Sequence, residues 1–297
     1  MITVGTPAGT FRVWTKQVGD NPDLKLLLLH GGPGMTHDYL EAFDDHLPKT
    51  GIGYHYYDQL GCGNSDRPDD LSLWEIDRSV DELEQVRLAL GLRRENFVLY
   101  GQSYGAVLAI EYVLRFPGAL RGLVLSNMTS SAAQYNDRVR ADLLPQIYPT
   151  ARAEIEALAA SGDYDNPRFE ALLGEHFNSW FLLRLPPEDF PGGLARSLER
   201  INQAIYHRVQ GHSELAVEPN TVLTGWDRTE ALAEITVPTL VIGATYDTMD
   251  PAFLRTMADR LPNGAYWHCP NGSHLCIYDD QETYFAGLKA FLSRLPA

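Results

Sequence analysis

Short apolar runs recur along the chain and alternate with stretches in which apolar residues return every three or four positions. The clearest runs are residues 24–30, 97–100, 122–126 and 238–243. Runs of this length, bounded by turn residues, are typical of strands buried on both faces. Between them lie helical patterns such as residues 73–90, with apolar residues on one face and charged residues on the other. This alternation predicts an α/β fold, with a mostly parallel sheet covered by helices.

The alternation stops between about residues 129 and 221, and the strand pattern resumes only at Thr236. In this interval, helical stretches such as residues 151–160 and 194–209 are separated by breaks rich in proline and glycine. Long inserted segments in compact domains are usually lids or binding elements, and an ordinary surface insertion is the alternative. We therefore predict a first part of the α/β core (1–128), an inserted helical cap (129–221) and a second part of the core (222–297).

One apolar run leads through a glycine-flanked serine directly into a helical pattern. The sequence Gly101-Gln-Ser-Tyr-Gly105 lies between the strand-like residues 97–100 and the helix-like residues 106–114. A strand, a sharp turn and a helix with serine at the apex form a nucleophile elbow, in which glycines leave room for the converging backbones. Ser103 is thus the candidate nucleophile. A plain turn is the alternative, because short motifs of this kind also occur by chance.

A serine nucleophile needs a histidine base and a carboxylate that orients the base. In hydrolases with a nucleophile elbow, the acid and then the histidine follow the serine, in loops after late strands. The run 238–243 leads to Asp247, and the strand-like residues 265–269 lead to the loop that ends at His274. We therefore assign Asp247 as the acid and His274 as the base.

Two neighbouring residues compete with this assignment. Asp250 directly precedes Pro251 and fits better as the cap of the next helix. His268 alternates with Trp267 inside a strand, where a hydrogen-bonded structural histidine is the plainer interpretation. The two loop residues named above remain the preferred pair.

The loop after the first buried strand is the candidate oxyanion hole. It reads His30-Gly-Gly-Pro-Gly34, in which glycines let the backbone approach a reacting carbonyl and the proline fixes the turn. An oxyanion hole of this kind combines one amide of this loop with the amide of the residue after the nucleophile. We assign the N–H groups of Gly32 and Tyr104, with Gly31 as an alternative donor. His30 is expected to brace the loop by hydrogen bonding.

Three motifs together resemble those of a known family. They are His30-Gly-Gly-Pro-Gly34, Asp58-Gln-Leu-Gly-Cys-Gly-Asn-Ser65 and Gly101-Gln-Ser-Tyr-Gly105, a combination far more specific than the serine motif alone. It is similar to that of the proline iminopeptidases, α/β-hydrolases of peptidase family S33. The similarity covers nearly the whole chain and is weakest between about residues 129 and 221.

The resemblance implies an α/β-hydrolase fold with an inserted helical cap. Carried over by position, it implies Ser103, Asp247 and His274 as the triad, and the amides of Gly32 and Tyr104 as the oxyanion hole. The segment from Asp58 to Ser65 is expected to brace the floor of the active site.

The resemblance also implies a site for the charged α-amino group of a substrate. Such a family pairs the ammonium with buried carboxylates on the cap side. The sequence Gln210-Gly-His-Ser-Glu214 is similar to the cap motif that carries one of them, so Glu214 is the candidate, with a solvated loop acid as the alternative. Many family members have a glutamate directly after the catalytic aspartate, where this chain has Thr248. Glu218 and Asp250 are the acids that could compensate.

Composition limits the classes of partner. The chain has 297 residues, of which 44% are hydrophobic, and a formal net charge of −15, which argues against nucleic acid or an anionic membrane surface as a partner. No apolar run approaches the ~18–20 residues of a membrane span, and the N-terminus does not resemble a signal peptide.

Cys62, Cys269 and Cys276 form an odd set without zinc spacing, which predicts reduced thiols in the cytoplasm, with Cys62 a packed residue. No cofactor or metal is predicted.

These features predict a serine hydrolase that releases an N-terminal residue, preferably proline, from short peptides or from amino-acid amides and arylamides through an acyl-enzyme. A broader amidase or esterase on the same fold, which needs no free α-amine, is the alternative, and Thr248 is the reason to keep it. A non-catalytic binding protein is disfavoured because all three triad residues are present. A dehalogenase or epoxide hydrolase is disfavoured because Ser103 stands where those enzymes use an aspartate.

Overall fold

An eight-stranded sheet forms the centre of the protein, of which a computed structural model describes residues 1–296. The strands are β1 (Ile2–Thr6), β2 (Gly9–Val18), β3 (Lys25–Leu29), β4 (Gly53–Asp58), β5 (Phe97–Gln102), β6 (Gly122–Ser126), β7 (Thr239–Ala244) and β8 (Gly264–Cys269). Their order in the sheet is β1-β2-β4-β3-β5-β6-β7-β8. The pairs β1–β2 and β2–β4 are antiparallel, and all neighbours from β4 to β8 are parallel.

Helices cover the sheet and fill the long connections. The α-helices are α1 (Ala42–His46), α2 (Ile76–Ala89), α3 (Tyr104–Arg115), α4 (Ala132–Arg138), α5 (Pro149–Ser161), α6 (Pro167–Leu173), α7 (Gly192–Glu199), α8 (Gln203–Val209), α9 (Pro251–Arg260), α10 (Cys276–Asp279) and α11 (Gln281–Leu292). Two π-helical segments, Val139–Leu143 and Gly174–Leu182, continue α4 and α6. Short 3-10 turns lie at His37–Leu40, Pro48–Thr50, Leu71–Leu73, Leu144–Gln146, Pro187–Asp189 and Ala231–Glu234. None of the helices in residues 1–296 has the length and apolar composition needed to cross a bilayer.

Strands β3, β5, β6 and β7 are buried on both faces, which is why they appear in the sequence as nearly continuous apolar runs. Along β3, Leu27 and Leu29 pack into one core, whereas Leu26 and Leu28 pack into a second core on the opposite face. This alternation follows from the two-residue repeat of a strand. The mostly parallel sheet covered by helices confirms the predicted fold class.

Strand β4 lies in the middle of the sheet, although its sequence Gly-Tyr-His-Tyr-Tyr-Asp contains no aliphatic residue. All six residues are buried. The tyrosine rings supply the apolar area, while the hydroxyls of Tyr54 and Tyr56 donate hydrogen bonds to Asp44. Because its buried residues are aromatic or polar rather than aliphatic, the strand gives no apolar run, and the hydrophobic pattern did not predict it.

Helices α4 to α8 lie in the interval 129–221, which the structure describes completely and in which it shows no strand. The stretch 194–209, predicted as one helical segment, is divided into α7 and α8 by Asn202. The side chain of Asn202 caps α8, and its N–H donates to the carbonyl of Gly34 in the loop after β3. A contact with the core thus interrupts the helix. The three-segment division of the chain stays a prediction.

The interval also contributes to the main hydrophobic core. Phe177, in the π-helical segment Gly174–Leu182, is fully buried in the same cluster as Val107 of α3. Its ring packs edge-on against Phe181, with ring centroids 5.3 Å apart. The inserted helices and the sheet therefore share one apolar interior.

Replacement of Phe177 by alanine should lower the free energy of unfolding by about 3–5 kcal/mol, because a buried aromatic ring leaves a cavity that the core fills only in part. Urea titration followed by circular dichroism measures this loss. Trp180→Ala, in the same π-helical segment, is the matched control. Trp180 is 56% exposed, so its loss should be below about 1 kcal/mol. Equal losses at both positions would contradict a shared core.

Candidate active site

Ser103 lies at the junction of β5 and α3 with an unusual backbone conformation. Its φ of 54° and ψ of −128° are rarely adopted by residues other than glycine. Conformations of this kind cost about 1–3 kcal/mol and occur where the surrounding structure enforces them, often at active sites. Here the N–H of Ser103 donates to the carbonyl of Ser126 at 2.9 Å, and its carbonyl accepts from Ala106 at 2.7 Å.

Three glycines allow the close approach of backbones around this serine. A Cβ on Gly101 would lie 2.3 Å from the carbonyl oxygen of Gly105, and a Cβ on Gly105 would lie 2.3 Å from that of Leu29. A Cβ on Gly31 would lie 2.8 Å from Cβ of Ser103. Contacts this short exclude any side chain, so the end of β3, the end of β5 and the start of α3 meet directly at Ser103.

The predicted acid and base lie together in the loops after β7 and β8. Nδ1 of His274 is 2.8 Å from Oδ1 of Asp247, which is fully buried. The same oxygen accepts the N–H of Met249 at 3.0 Å, and Oδ2 accepts Nδ2 of Asn127 at 2.7 Å. The Asp247 carboxylate is thus held in one orientation from three directions.

Asn127 was missed by sequence reasoning. It directly follows β6 and has a positive φ of 52°. Its Oδ1 accepts hydrogen bonds from Ser126 at 2.7 Å and from the thiol of Cys276 at 3.4 Å, which fixes the side-chain amide with its nitrogen towards Asp247. The available signal was its place at the carboxyl end of a buried parallel strand, beside the strand that leads to Ser103.

The electrostatics of the pair suit a histidine base. Burial lowers the pKa of His274, but the negative charge of Asp247 and the hydrogen bond to it outweigh burial, so the pKa is raised above its ordinary value. Since Nδ1 is bound to Asp247, Nε2 is the nitrogen available to a serine hydroxyl. Within residues 1–296 no hydrogen bond joins Ser103 to the ring of His274; such contacts often tighten only in the complex with substrate.

A chain of hydrogen bonds connects the oxyanion loop to the histidine loop. The N–H of Gly31 donates to the hydroxyl of Tyr39 at 2.7 Å, and this hydroxyl donates to Oε1 of Gln102 at 2.8 Å. Nε2 of Gln102 donates to the carbonyl of His274 at 3.2 Å. Because its N–H is already bound, Gly31 is the poorer oxyanion donor, and the geometry favours Gly32.

The two assigned oxyanion donors are adjacent in sequence to residues at the elbow: Tyr104 directly follows Ser103, and Gly32 follows Gly31, whose added Cβ would lie 2.8 Å from Cβ of Ser103. Tyr104 is the first residue of α3, so its N–H has no acceptor within the helix. Gly32 lies in a turn so tight that a Cβ there would be 2.7 Å from the amide nitrogen of Met35. His30 braces this loop: Nε2 accepts the N–H of Gln59 at 3.1 Å, and burial lowers the pKa of the ring.

Ser103 lines a cleft whose wall comes from both the sheet side and the inserted helices. Its wall is mainly apolar and includes Met128, Val217, Leu223 and Trp226. Such a concave, apolar site with a few oriented polar groups is typical of a small-molecule binding site.

Glu214 lines the same cleft as Ser103 and is half-buried. Its Oε1 accepts the hydroxyl of Tyr206 at 2.6 Å. Its Oε2 accepts the hydroxyl of Tyr135 and Nε2 of Gln210, both at 3.1 Å. A carboxylate held by three donors in a cleft is an oriented charge, unlike the solvated loop acid that was the alternative.

Neither acid suggested as a substitute for the missing glutamate faces this cleft. Glu218 accepts hydrogen bonds from the N–H and Nδ1 of His212, both at 2.9 Å. Asp250 caps α9 through the N–H of Ala252, and neither lines the cleft. The hydroxyl of Thr248 is fully buried 3.3 Å from Nδ1 of His274. Among the described residues that line the cleft, Glu214 is thus the one that carries a carboxylate.

The other residues singled out in the sequence make hydrogen bonds or packing contacts within the fold. His268 lies in β8, where its Nε2 is 3.0 Å from the hydroxyl of Thr245 and its Nδ1 is 3.0 Å from that of Tyr266. Cys62 is a buried free thiol in the main core, and burial raises its pKa. At the end of β4, Asp58 accepts hydrogen bonds from the backbone N–H of His37 at 2.8 Å and of Asn64 at 2.9 Å.

Known proteins resemble this chain in sequence and in structure. Residues 26–281 match the sequence profile of a family with the alpha/beta hydrolase fold. A proline iminopeptidase of Chitinophaga pinensis is 44% identical over 295 residues, which cover 99% of this chain and 98% of that protein. The crystal structure of VinJ has a TM-score of 0.90 and 28% identity, with coverage of 99% and 98%. The crystal structure of a proline iminopeptidase of Mycobacterium smegmatis has a TM-score of 0.85 and 28% identity, with 98% of both chains covered.

Asp247→Asn should slow the reaction of Ser103 with a fluorophosphonate by roughly 10⁴-fold, the loss seen when a triad aspartate becomes an amide. The rate depends on neutral His274, so it falls as the pH drops through the raised pKa of His274. Without the negative charge of Asp247, the midpoint of this fall should move to lower pH. Rates of labelling from pH 5 to 9 measure both effects.

Asp250→Asn is the matched control in the same loop. Asparagine caps a helix about as well as aspartate, so both the labelling rate and its pH midpoint should stay close to wild type. A variant at Asp247 that labels as fast as the Asp250 variant would contradict the assignment of the acid.

Proposed function

The chain belongs to the proline iminopeptidases, a family of α/β-hydrolases, and on this premise we propose that it is a serine aminopeptidase that releases an N-terminal residue, preferably proline, from short peptides and from amino-acid amides or arylamides. One observation carries the proposal beyond the family: the oriented carboxylate of Glu214 and the strained Ser103 line the same apolar cleft. A free α-ammonium paired with Glu214 places the carbonyl of the first residue near Ser103.

The proposed reaction uses the geometry of the three loops. His274 takes the proton of Ser103 as Oγ attacks the carbonyl carbon, and Asp247 stabilises the imidazolium. The N–H groups of Gly32 and Tyr104 bind the oxyanion. His274 then gives its proton to the nitrogen of the departing peptide, and the C–N bond breaks. Water, activated by His274, hydrolyses the acyl-enzyme and frees the N-terminal amino acid.

The residues that line the cleft support a small, apolar first residue with a charged amine. The wall of Met128, Val217, Leu223 and Trp226 provides apolar surface for a pyrrolidine ring. An ammonium is costly to bury unless a carboxylate pairs with it, and Glu214 provides that partner. The inserted segment contributes Tyr135, Gln210, Glu214 and Val217 to the wall of the cleft, and in this proposal it limits the space ahead of the cleaved bond to one residue. Short peptides are therefore the proposed substrates.

The competing function is an amidase or esterase that does not require a free amine. The uncharged Thr248 after the proposed catalytic aspartate favours this alternative, because the cleft then has one carboxylate where many relatives have two. The two functions differ in a single requirement, a positive charge on the α-nitrogen of the substrate. Acetylation of this nitrogen removes the charge, so turnover of acetylated and free substrates distinguishes the two functions.

Glu214→Gln should lower kcat/KM for prolyl p-nitroanilide by about 30-fold or more, since loss of one partner of a buried charge pair costs about 2–5 kcal/mol. The same change should leave the slower hydrolysis of N-acetyl-prolyl p-nitroanilide unaffected. Steady-state kinetics with both substrates and a matching simple ester measure the difference.

Glu218→Gln is the matched control, because this carboxylate is bound to His212 outside the cleft lining. Its kcat/KM for prolyl p-nitroanilide should stay close to wild type. Equal or faster wild-type turnover of the acetylated substrate and the ester would support the amidase or esterase and overturn the aminopeptidase.

Ser103→Ala should reduce kcat for prolyl p-nitroanilide by about 10⁶-fold, as expected when a nucleophilic serine of a triad is lost. Mass spectrometry should also show no fluorophosphonate adduct on this variant. Ser130→Ala removes a hydroxyl that binds Thr229 outside the cleft lining and should retain turnover. Near-wild-type activity of the Ser103 variant would refute the assignment of the nucleophile.

A further inference from the structure

Asn202, between α7 and α8, connects three parts of the structure. Its N–H donates to the carbonyl of Gly34 and its Nδ2 to the carbonyl of Gly61, both at 2.8 Å. Its Oδ1 accepts the N–H groups of Ala204 at 3.2 Å and Ile205 at 3.4 Å, which caps α8. Its backbone N–H and all side-chain polar atoms are thus engaged, two of them with loops of the hydrolase core.

The backbone around Asn202 packs closely against both of these loops. A Cβ on Gly34 would lie 2.6 Å from the carbonyl oxygen of Asn202, and a Cβ on Gly61 would lie 2.6 Å from Cδ1 of Ile205. The backbone of the inserted segment therefore touches the backbone of the oxyanion loop directly. A shift of Asn202 has to move Gly34 with it.

The oxyanion loop is held at two points. On the core side, the N–H of Gly31 is bound to the hydroxyl of Tyr39. On the side of the inserted helices, the carbonyl of Gly34 is bound to Asn202. Gly32 lies between these two points and has no side chain that could anchor it by packing. The direction of its N–H therefore depends on both attachments.

The helix that Asn202 caps also holds the cleft carboxylate. Tyr206 lies in α8 and donates to Oε1 of Glu214, and Gln210, the C-cap residue of α8, donates to Oε2. This helix of seven residues is roughly 10 Å long. One short, rigid element thus contacts the oxyanion loop at its start and Glu214 near its end.

We propose that Asn202 is a positioning residue for the hydrolysis: it fixes the N–H of Gly32 in the oxyanion hole and keeps it in register with the carboxylate that binds the amine. The second half of this statement rests on the proposed function of Glu214. The first half depends only on Ser103 and the oxyanion loop. The backbone N–H of Asn202 cannot be removed by substitution, but its side chain determines where that N–H points.

Asn202→Ala should lower kcat for prolyl p-nitroanilide by about tenfold or more, less than the 10²–10³ of a lost oxyanion donor because the Gly32 amide is displaced rather than removed. KM should change much less than kcat, because the contacts of Glu214 with its own donors remain. The rate of Ser103 phosphonylation by a fluorophosphonate should fall by the same factor, since its phosphoryl oxygen occupies the oxyanion hole. The pH midpoint of labelling should stay unchanged, because His274 and Asp247 are untouched.

Two further variants separate positioning from general loss of structure. Asn166→Ala is the matched control: the Asn166 side chain caps α6 through the N–H of Arg168 at 2.9 Å, in the same inserted segment, without a contact to the oxyanion loop. It should keep kcat and the labelling rate close to wild type. Asn202→Ser retains an oxygen that can cap α8 but loses the donor to Gly61, and should show the same loss of kcat as the alanine variant.

The proposal is overturned if the Asn202 variants have the same kcat and labelling rate as Asn166→Ala. It is also overturned if the Asn202 variants change KM or the pH midpoint of labelling instead of kcat. If Asn202→Ala does not fold, the kcat and labelling rate of Asn202→Ser test the proposal in its place. A wild-type protein that labels at Ser103 but does not cleave prolyl p-nitroanilide refutes the proposed function, and the labelling rates still test Asn202. A wild-type protein that does not label refutes both.

Discussion

The backbone conformation of Ser103 is the constraint on which the rest of the site depends. A serine at φ 54° is stable only where neighbouring backbone holds it, and here that backbone comes from β3, β5, β6 and α3 at once. The glycines at 31, 101 and 105 are required because the atoms of other strands and turns occupy the space of their side chains. Packing at the carboxyl ends of these strands therefore has to offset a strain of about 1–3 kcal/mol at Ser103.

Around this fixed point, buried polar groups are satisfied by partners that also set their orientation. The carboxylate of Asp247 has no exposure to solvent, yet it accepts hydrogen bonds from His274, Asn127 and Met249. A buried charge without such partners would be strongly destabilising. The same hydrogen bonds thus satisfy the buried groups and fix their orientation, and they join the proposed acid, the proposed base and the candidate oxyanion loop in one network.

The sequence predicted the parts of this structure that have a local signal. Strand β6 was predicted at residues 122–126, as observed, and Ser103, Asp247 and His274 were assigned because each lies in a turn or loop that follows a predicted strand. The missed features act over long distances in the chain. In strand β4, the hydroxyls of Tyr54 and Tyr56 donate to Asp44, and the hydrogen bonds of Asn127 and Asn202 go to partners that no periodic pattern reveals. The same contact of Asn202 explains why the stretch predicted as one helix is two.

The parallel sheet also determines when the site can exist during synthesis of the chain. Asn127 and Asp247 are 120 positions apart, and the loops of Asp247 and His274 are placed only when β7 and β8 have joined β6. A nascent chain that has emerged only as far as α8 contains Ser103 and the loop of Gly31 to Gly34, but neither Asp247 nor His274. Such an unfinished chain lacks both the proposed acid and the proposed base, so on this assignment hydrolysis requires that β7 and β8 have docked onto the sheet.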